Sequence, residues 1–559
     1  MAKNYTELSK EDLLKIISKL ESRKKYGLVW DEERSKEQFE AESENALPIL
    51  KTVKAKDIST DQNDPVSIVI EGDNYHALSV LNYTHQEKVD IIYIDPPYNT
   101  GSKDWKYNNA YVDGNDTYRH SKWLSFMNKR LRLAKNLLKD TGVLICTIDE
   151  NEHATLGLLL AEIFPNKEIV CVTIVHNPGG IQGKNFSYCH EYAYFVYPNN
   201  GRHINLQERD ENPDIRPLRN VSKGDHLRED AANCFYPVYV KDGKIIGFGD
   251  VCPDSFHPKS ANIKRRDGVL EIYPIDPQGN ERKWVFARQS VDKIIGELSV
   301  EFNKKRKIWD IIRRKSRFPY KTVWTDPKFN ANIYGTQLVN RLLGVSFPFP
   351  KSLYAVQECI RACVHSKDAL ILDFFAGSGT TGHATLLLNK EDGGKRRFIL
   401  CTNNENNIAE EVCYPRVKKV ILGHSEFPDI TGIPANLKYF KTAFVKKTAS
   451  KDTLKMRITQ ECTEMLCLRE GIFEEKKRTN DYRIFEGNGR VMGVYYSMSQ
   501  AELRALKKDF DKVTSIKTLY CFTLDPLGLD KNDFLDWDGV SLEPIPQKIL
   551  DIYEEIYEY

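Results

Sequence analysis

The sequence predicts an α/β fold built on a mostly parallel sheet. Three observations carry that prediction. Apolar strand-like runs alternate with helix-like runs over residues 66–200, the same alternation returns over 350–420, and two of the strands run into turns rich in Pro or Gly. In open α/β sheets such carboxyl ends are where ligands bind. A chain of 559 residues is too long for one compact core and implies two or three domains.

Taken in order, residues 1–65 form a helical N-terminal segment. An amphipathic helix is expected from Lys10 to Glu21, its apolar stripe made by Leu13, Leu14, Ile16, Ile17 and Leu20, followed by polar connecting sequence. Over 66–200, strands are expected at 67–70, 89–94, 143–148, 169–175 and 191–197. Helices fall between them, from Tyr75 to Tyr83, from about Thr117 to Leu138 and from Glu150 to Phe164. Over 201–335 the alternation lapses, and polar sequence with turns such as Asp242-Gly243 marks an inserted domain. The pattern resumes within 336–430, and 431–559 is a C-terminal domain of mixed α/β character with an acidic end. The blocks 66–200 and 336–430 carry the two halves of the alternating pattern.

Composition excludes several classes. Hydrophobic content of 41% and charged content of 29% are those of an ordinary soluble protein, and no run of about eighteen apolar residues offers a membrane span. The twelve cysteines include no Cys-x-x-Cys pair; without an N-terminal signal pattern they are expected as reduced thiols of a cytoplasmic protein, with no metal site. Net charge is only +2, but residues 301–330 are locally basic. Lys304, Lys305, Arg306, Lys307, Arg313, Arg314, Lys315, Arg317, Lys321 and Lys328 are opposed there only by Glu301, Asp310 and Asp326. Trp309, Phe318, Tyr320 and Trp324 interleave with them, a pattern suited to a phosphate backbone. A solvated surface is the plain alternative for such a charge run.

Two motifs carry the chemistry. The strand at 89–94 runs straight into Asp95-Pro96-Pro97-Tyr98. Asp95 can accept one N–H of a planar amine, the Pro96 carbonyl can accept the other, and Tyr98 can stack on the ring. Pro96 and Pro97 fix φ and remove competing donors. A Pro-rich turn after a core strand would look the same in isolation. The second motif is Asp373-Phe374-Phe375-Ala376-Gly377-Ser378-Gly379-Thr380-Thr381-Gly382, a strand end turning into a helix. Gly377 and Gly379 admit close approach of a ligand, while Ser378, Thr380, Thr381 and the helix N-terminal amides can hold a carboxylate or other anion. A dinucleotide fingerprint fits poorly because Gly382 falls one residue late, and a phosphate-binding P-loop lacks its Lys-Ser/Thr pair.

Together the motifs resemble those of the amino-group DNA methyltransferases that use S-adenosylmethionine. With the catalytic tetrapeptide first and the glycine turn last, the order resembles their β-class, a circular permutation of the Rossmann-like methyltransferase sheet with an inserted target-recognition domain. Ser67 to Asn74 and Phe347 to Leu353 resemble that family around the motifs. Lys25 to Trp30, Gly142 to Asp149, Tyr334 to Thr336 and Pro544 to Leu550 are similar to the modification subunits of type III restriction systems.

The resemblance assigns roles. Asp95, Pro96, Pro97 and Tyr98 would be catalytic, acting on a base flipped out of duplex DNA. Asp73, Asp373, Phe375, Gly377, Ser378, Gly379 and Thr380 would hold S-adenosylmethionine. Its ribose would fall to Asn403 or Glu405, since Thr402 stands where the family places a carboxylate. Lys304, Lys305, Arg306, Arg313, Arg314, Arg317 and Lys321 would contact double-stranded DNA. A homodimer and a helicase-nuclease restriction subunit are the implied partners, with no membrane. Three functions stay open: adenine-N6 methylation within a restriction-modification system, cytosine-N4 methylation, or a DNA-binding specificity subunit that delivers a nuclease. The usual cytosine pattern begins with Ser, so Asp95 favours adenine.

Overall fold

The structure, a computed structural model, describes residues 46–100 and 119–557 apart from 62–63, 183–184, 210, 223, 346, 425–430, 449, 514 and 526–527, together with residues 9, 10, 13 and 28. The helix expected from Lys10 to Glu21 lies outside the described residues except at Lys10 and Leu13, as does most of the Lys25–Trp30 segment. The chain divides into two units, Met1–Asn205 with Lys321–Tyr559, and Leu206–Tyr320.

The first unit is built on a sheet whose strands are β1 (Ala46–Thr52), β2 (Val66–Glu71), β3 (Val89–Ile94), β4 (Leu138–Ile148), β5 (Lys167–Ile174), β6 (Glu191–Pro198), β7 (Val323–Trp324), β8 (Leu370–Asp373), β9 (Arg397–Thr402) and β10 (Asn436–Lys446). Their order across the sheet is β1-β10-β2-β9-β8-β3-β4-β6-β5-β7. Only β1 and β6 run antiparallel to their neighbours. The helices are α1 (Asn74–Thr84), α2 (Arg119–Leu137), α3 (His153–Ile163), α4 (Leu353–Cys363), α5 (Thr380–Asp392) and α6 (Tyr414–Leu422).

The central strands are near-continuous apolar runs because both sheet faces are covered. Ile70, Ile92 and Leu372 join one core with Leu78 of α1, Leu131 of α2 and Leu160 of α3. Val69, Phe398 and Leu400 join another with Leu386 of α5 and Val417 of α6. Val69 and Ile70 thus serve opposite faces, as the two-residue period of a strand requires. Burying each such side chain contributes about 1.5–3 kcal/mol.

The permuted order has one geometric consequence that matters. β3 pairs with β8, Ile91 opposite Ile371 and Ile92 opposite Leu372, so the ends carrying Asp95 and Asp373 lie side by side. This is the mixed α/β sheet that the sequence predicts.

Three strands depart from the expected blocks: β7 lies inside 201–335 but pairs with β5 in the main sheet, and β1 and β10 depart as follows. β1 lies inside 1–65, where only a helix and connecting sequence are expected, and it forms the sheet edge beside β10. Pro48 interrupts its strand signature, but an edge strand tolerates a residue without an N–H. β10 lies inside 431–559, yet it pairs with β2 from Val66–Asn436 to Glu71–Lys441, a pairing between segments too distant for local pattern to reveal. The C-terminal region then forms its own five-stranded sheet from 474–478, 482–487, 490–495, 516–522 and 540–545, in that order. It is not separate from the main core: Met465, Leu466, Ile549 and Tyr553 share the cluster of Leu78, and the Tyr553 hydroxyl donates to the Pro48 carbonyl at 2.5 Å.

The second unit contains a three-stranded sheet (Asp214–Pro217, Ile308–Lys315, Leu298–Asn303), a four-stranded sheet (Lys244–Phe248, Val238–Lys241, Leu270–Ile272, Asn262–Lys264) and a short pair formed by Leu206–Glu208 with Arg317–Pro319. Tyr236, Val238, Ile272, Trp284 and Ile311 form its core, where the Trp284 indole N–H is satisfied by the Tyr236 carbonyl at 2.8 Å.

Candidate active site

The end of β3 and the groups around it form a tight polar cluster. Thr147 of β4 donates its hydroxyl to Asp95 Oδ1 at 2.7 Å. Lys351, just before α4, places Nζ 3.1 Å from the same oxygen and also pairs with Glu191, the first residue of β6. Lys351 further donates to the Tyr98 hydroxyl, which itself donates to Glu191 Oε2 at 3.1 Å. Asp95 Oδ1 is therefore occupied twice by the protein, and Asp95 keeps 27% of its side chain open. Pro96 is buried, and the Pro97 carbonyl accepts from the Trp123 indole at 2.7 Å. Beyond the tetrapeptide, Asn99 adopts φ 58° and donates to Glu152, which also meets His120 Nδ1 at 2.7 Å.

Charge is balanced inside this cluster. Burial pushes the Asp95 carboxyl up, and the Lys351 ammonium opposes the rise. Burial also acts to raise Glu191, but the Lys351 charge and its hydrogen bonds override it and the net shift is downward. Burial would lower Lys351, yet the two carboxylates hold it above its ordinary value and thus charged.

The neighbouring strand end is built around the glycine turn. Asp373 accepts from the Phe375 N–H at 2.9 Å and from the Thr381 hydroxyl at 2.6 Å, and burial pushes its carboxyl up to about 7. Gly377 and Gly379 have φ of 49° and 76°, the left-handed region that favours glycine. A Cβ at Gly379 would stand 3.2 Å from the Cys413 carbonyl, so α6 approaches this turn closely. Phe375 is half-buried, with its ring centroid 5.7 Å from that of Phe126.

The turn after β2 closes the other side. Asp73 caps α1 through the Tyr75 N–H at 2.7 Å and lies 3.5 Å from Arg130 Nη2. Asn74 donates to the Phe374 carbonyl at 2.9 Å, while Arg130 Nε donates to Asn74 Oδ1 at 2.5 Å. The β2 turn, α2 and the β8 end are thereby tied together.

Not every expected ligand faces outward. The Ser378 and Thr380 hydroxyls are buried and accept hydrogen bonds from Arg416, so their oxygens point to α6. Asn403 follows β9, and its Oδ1 is buried without a partner among the described residues. Glu405 sits in a short turn of helix, half-buried.

The basic residues divide in a similar way. Lys304, Lys305 and Arg306 lie exposed in the turn between Leu298–Asn303 and Ile308–Lys315, and Arg314 is exposed on the second of these strands. Phe302 and Trp309 form an exposed edge-to-face pair on the same hairpin, centroids 5.3 Å apart. Arg313 and Arg317 are already paired, to Glu297 at 2.7 Å and Glu208 at 3.0 Å. Lys321 is exposed and belongs to the first unit.

Sequence reasoning missed Lys351, Glu191, Thr147, Arg130 and Arg416 as members of the site. Lys351 and Thr147 alone carried a signal, standing in the Phe347–Leu353 and Gly142–Asp149 segments. Among the described residues no cluster of His, Cys, Asp or Glu could hold a metal ion, and no helix is long and apolar enough to cross a membrane.

A family model described as DNA methylase matches residues 89–412, more than half of the chain. The chain is 32% identical over 380 residues to the type II methyltransferase M.KpnI of Klebsiella pneumoniae, an alignment covering 64% of this chain and 85% of that one. It is 30% identical over 405 residues to the EcoPI Mod subunit, a type III restriction-modification enzyme of Escherichia phage P1, covering 64% and 61%. The StyLTI Mod subunit of Salmonella typhimurium is 29% identical over 416 residues, covering 68% and 59%. The chain thus spans about three fifths of the type III subunits it matches.

Proposed function

The chain belongs to the DNA methylase family, and from that premise we propose that it transfers a methyl group from S-adenosylmethionine to the N6 amine of an adenine flipped out of double-stranded DNA. The observation that carries this reading is Asp95 at the end of β3, held by Thr147 and Lys351 beside the glycine turn of β8.

The residues at the β8 end fit the donor. Asn403 Oδ1, an orphaned buried acceptor, suits a ribose hydroxyl, and the helix N-terminus at Thr380 suits a carboxylate. Phe375, Gly377 and Gly379 would line its path, and Asp73 would meet its adenine. When bound, the donor supplies an electrophilic methyl group.

The protein's own groups prepare the amine. Thr147 and Lys351 engage Asp95 Oδ1, which leaves Oδ2 to accept one N–H of the target amine. The Pro96 carbonyl accepts the other. Acceptors on both hydrogens favour a more tetrahedral nitrogen and return its lone pair from the ring. That gain is larger as the nitrogen reacts than at rest, the condition for catalysis. Tyr98 offers its ring for stacking, with its orientation fixed through the hydroxyl by Lys351 and Glu191. Lys351 opposes the rise that burial imposes on the Asp95 carboxyl and so favours its accepting form.

The second unit, with its basic hairpin and exposed Phe302–Trp309 pair, is proposed as the target-recognition domain. A cytoplasmic location, a homodimer and a helicase-nuclease restriction partner complete the proposal; the match to two Mod subunits supports the restriction-modification context.

The test is methyl incorporation from labelled S-adenosylmethionine into unmethylated DNA. Wild type should transfer label, and Asp95→Ala should lose transfer while keeping most of its DNA affinity. Binding of DNA and donor without transfer by the wild type would favour a specificity subunit instead.

A further inference from the structure

Arg416 of α6 is 0% exposed and faces the glycine turn. Its Nη1 donates to the Thr380 hydroxyl at 2.8 Å and the Ser378 hydroxyl at 3.0 Å, with the Ser378 carbonyl at 3.4 Å. Nε and Nη2 are buried and reach no acceptor among the described residues. No carboxylate among those residues pairs with it. A buried guanidinium without a counter-charge is costly, and neutral hydroxyls offset only part of that cost.

Its position is specific. Thr380 opens α5, a helix of 13 residues whose N-terminal amides carry partial positive charge. Two positive features therefore converge on the same three residues, 378–380. The hydroxyls also constrain each other. Both oxygens accept from Nη1, and they lie 3.1 Å apart, so one hydroxyl proton is used between them. The other is left to donate, strengthened by the cation behind it.

We propose that Arg416 is the buried counter-charge for the carboxylate at the amino-acid end of the methyl donor, acting as a positioning residue through the Ser378 and Thr380 hydroxyls. The inference rests on the donor assigned above. It gives a reason for the inward turn of the Ser378 and Thr380 oxygens toward Arg416 at the buried glycine turn. It also makes the amino-acid end a determinant of which adenosyl compound binds.

The test is calorimetric binding of three probes: S-adenosylhomocysteine, its decarboxylated analogue and 5′-methylthioadenosine. Wild type should favour S-adenosylhomocysteine over the decarboxylated analogue by about 10- to 100-fold, the range of one charge-assisted hydrogen bond. Arg416→Met should contract that ratio to below about threefold and leave 5′-methylthioadenosine within about twofold, while Arg416→Lys should retain much of the preference. Thr380→Val, which keeps the side-chain volume, should contract the ratio in the same direction and serves if Arg416→Met does not fold. An unchanged ratio in the folded variant, or an equal loss for all three probes, overturns the role of Arg416. Failure of wild type to bind any of the three overturns the donor assignment, and this inference with it.

Discussion

Replacing Lys351 with methionine removes the positive charge that the structure places between Asp95 and Glu191. The two unit charges of Lys351 and Asp95 stand 3.1 Å apart. At an effective dielectric constant of about 20, that separation corresponds to a gross interaction of about 5 kcal/mol. Less than this survives in practice, because Asp95 keeps its Thr147 bond and 27% of its side chain meets water. An opposite charge at this range ordinarily lowers a carboxyl by about one to three pH units. Lys351→Met should therefore move the acid limb of the kcat–pH profile upward by about one to three pH units, since Asp95 must be ionised to accept the amine. Stability should fall by about 3–5 kcal/mol at neutral pH, the cost of breaking a buried pair. The sign of the Glu191 contribution to pH dependence should also reverse. In wild type the downshifted Glu191 stabilises above its unfolded value, and that contribution is lost as pH falls through the folded value. Without Lys351 burial raises both carboxyls, so stability is regained on acidification and lost as pH rises. Methyl incorporation as a function of pH, and urea unfolding carried from neutrality to below the ordinary glutamate value of about 4.3, read both effects. An acid limb that stays in place, with an intact fold, would refute the assigned role of Lys351.

Three further outcomes are expected. Asp373 is raised to about 7 by burial, so its contribution to stability is present at low pH and is lost as pH rises from its unfolded value through about 7; Asp373→Asn should flatten that part of a thermal-denaturation profile. Removing Lys304, Lys305, Arg306 and Arg314 together should reduce the slope of log Kobs against log salt for duplex DNA by up to about 0.9 for each phosphate no longer neutralised, whereas Arg313→Ala and Arg317→Ala should change it less because Glu297 and Glu208 already engage them. Gly379→Ala places a Cβ at φ 76° within 3.2 Å of the Cys413 carbonyl and should cost about 1–3 kcal/mol by urea unfolding, with weaker donor binding by calorimetry.

The parts of this protein legible in its sequence are those where local pattern and chemistry coincide. β2, β3, β8 and β9 are short apolar runs ending in unusual turns, and the two motifs at the ends of β3 and β8 name their own chemistry. Pairing between distant segments was not legible. β10 reads as the start of another domain until it is found beside β2, and β1 carries a proline that only an edge position excuses. The supporting residues of the site were hidden for a related reason. Lys351, Glu191 and Thr147 come from three different elements, and nothing in their local sequence marks them as neighbours of Asp95. Arg416 looks like one more cation on an amphipathic helix; burial under the glycine turn is what distinguishes it. Ser378 and Thr380 show the converse, for a ligand-binding motif suggested outward hydroxyls and the fold turns them toward that arginine.

The central claim is that the cluster around Asp95 methylates the exocyclic amine of adenine. Nucleoside mass spectrometry of unmethylated duplex DNA after incubation with the purified chain and S-adenosylmethionine tests it most directly. N6-methyladenine should accumulate with wild type and be absent with Asp95→Ala. Accumulation of N4-methylcytosine alone would contradict the account.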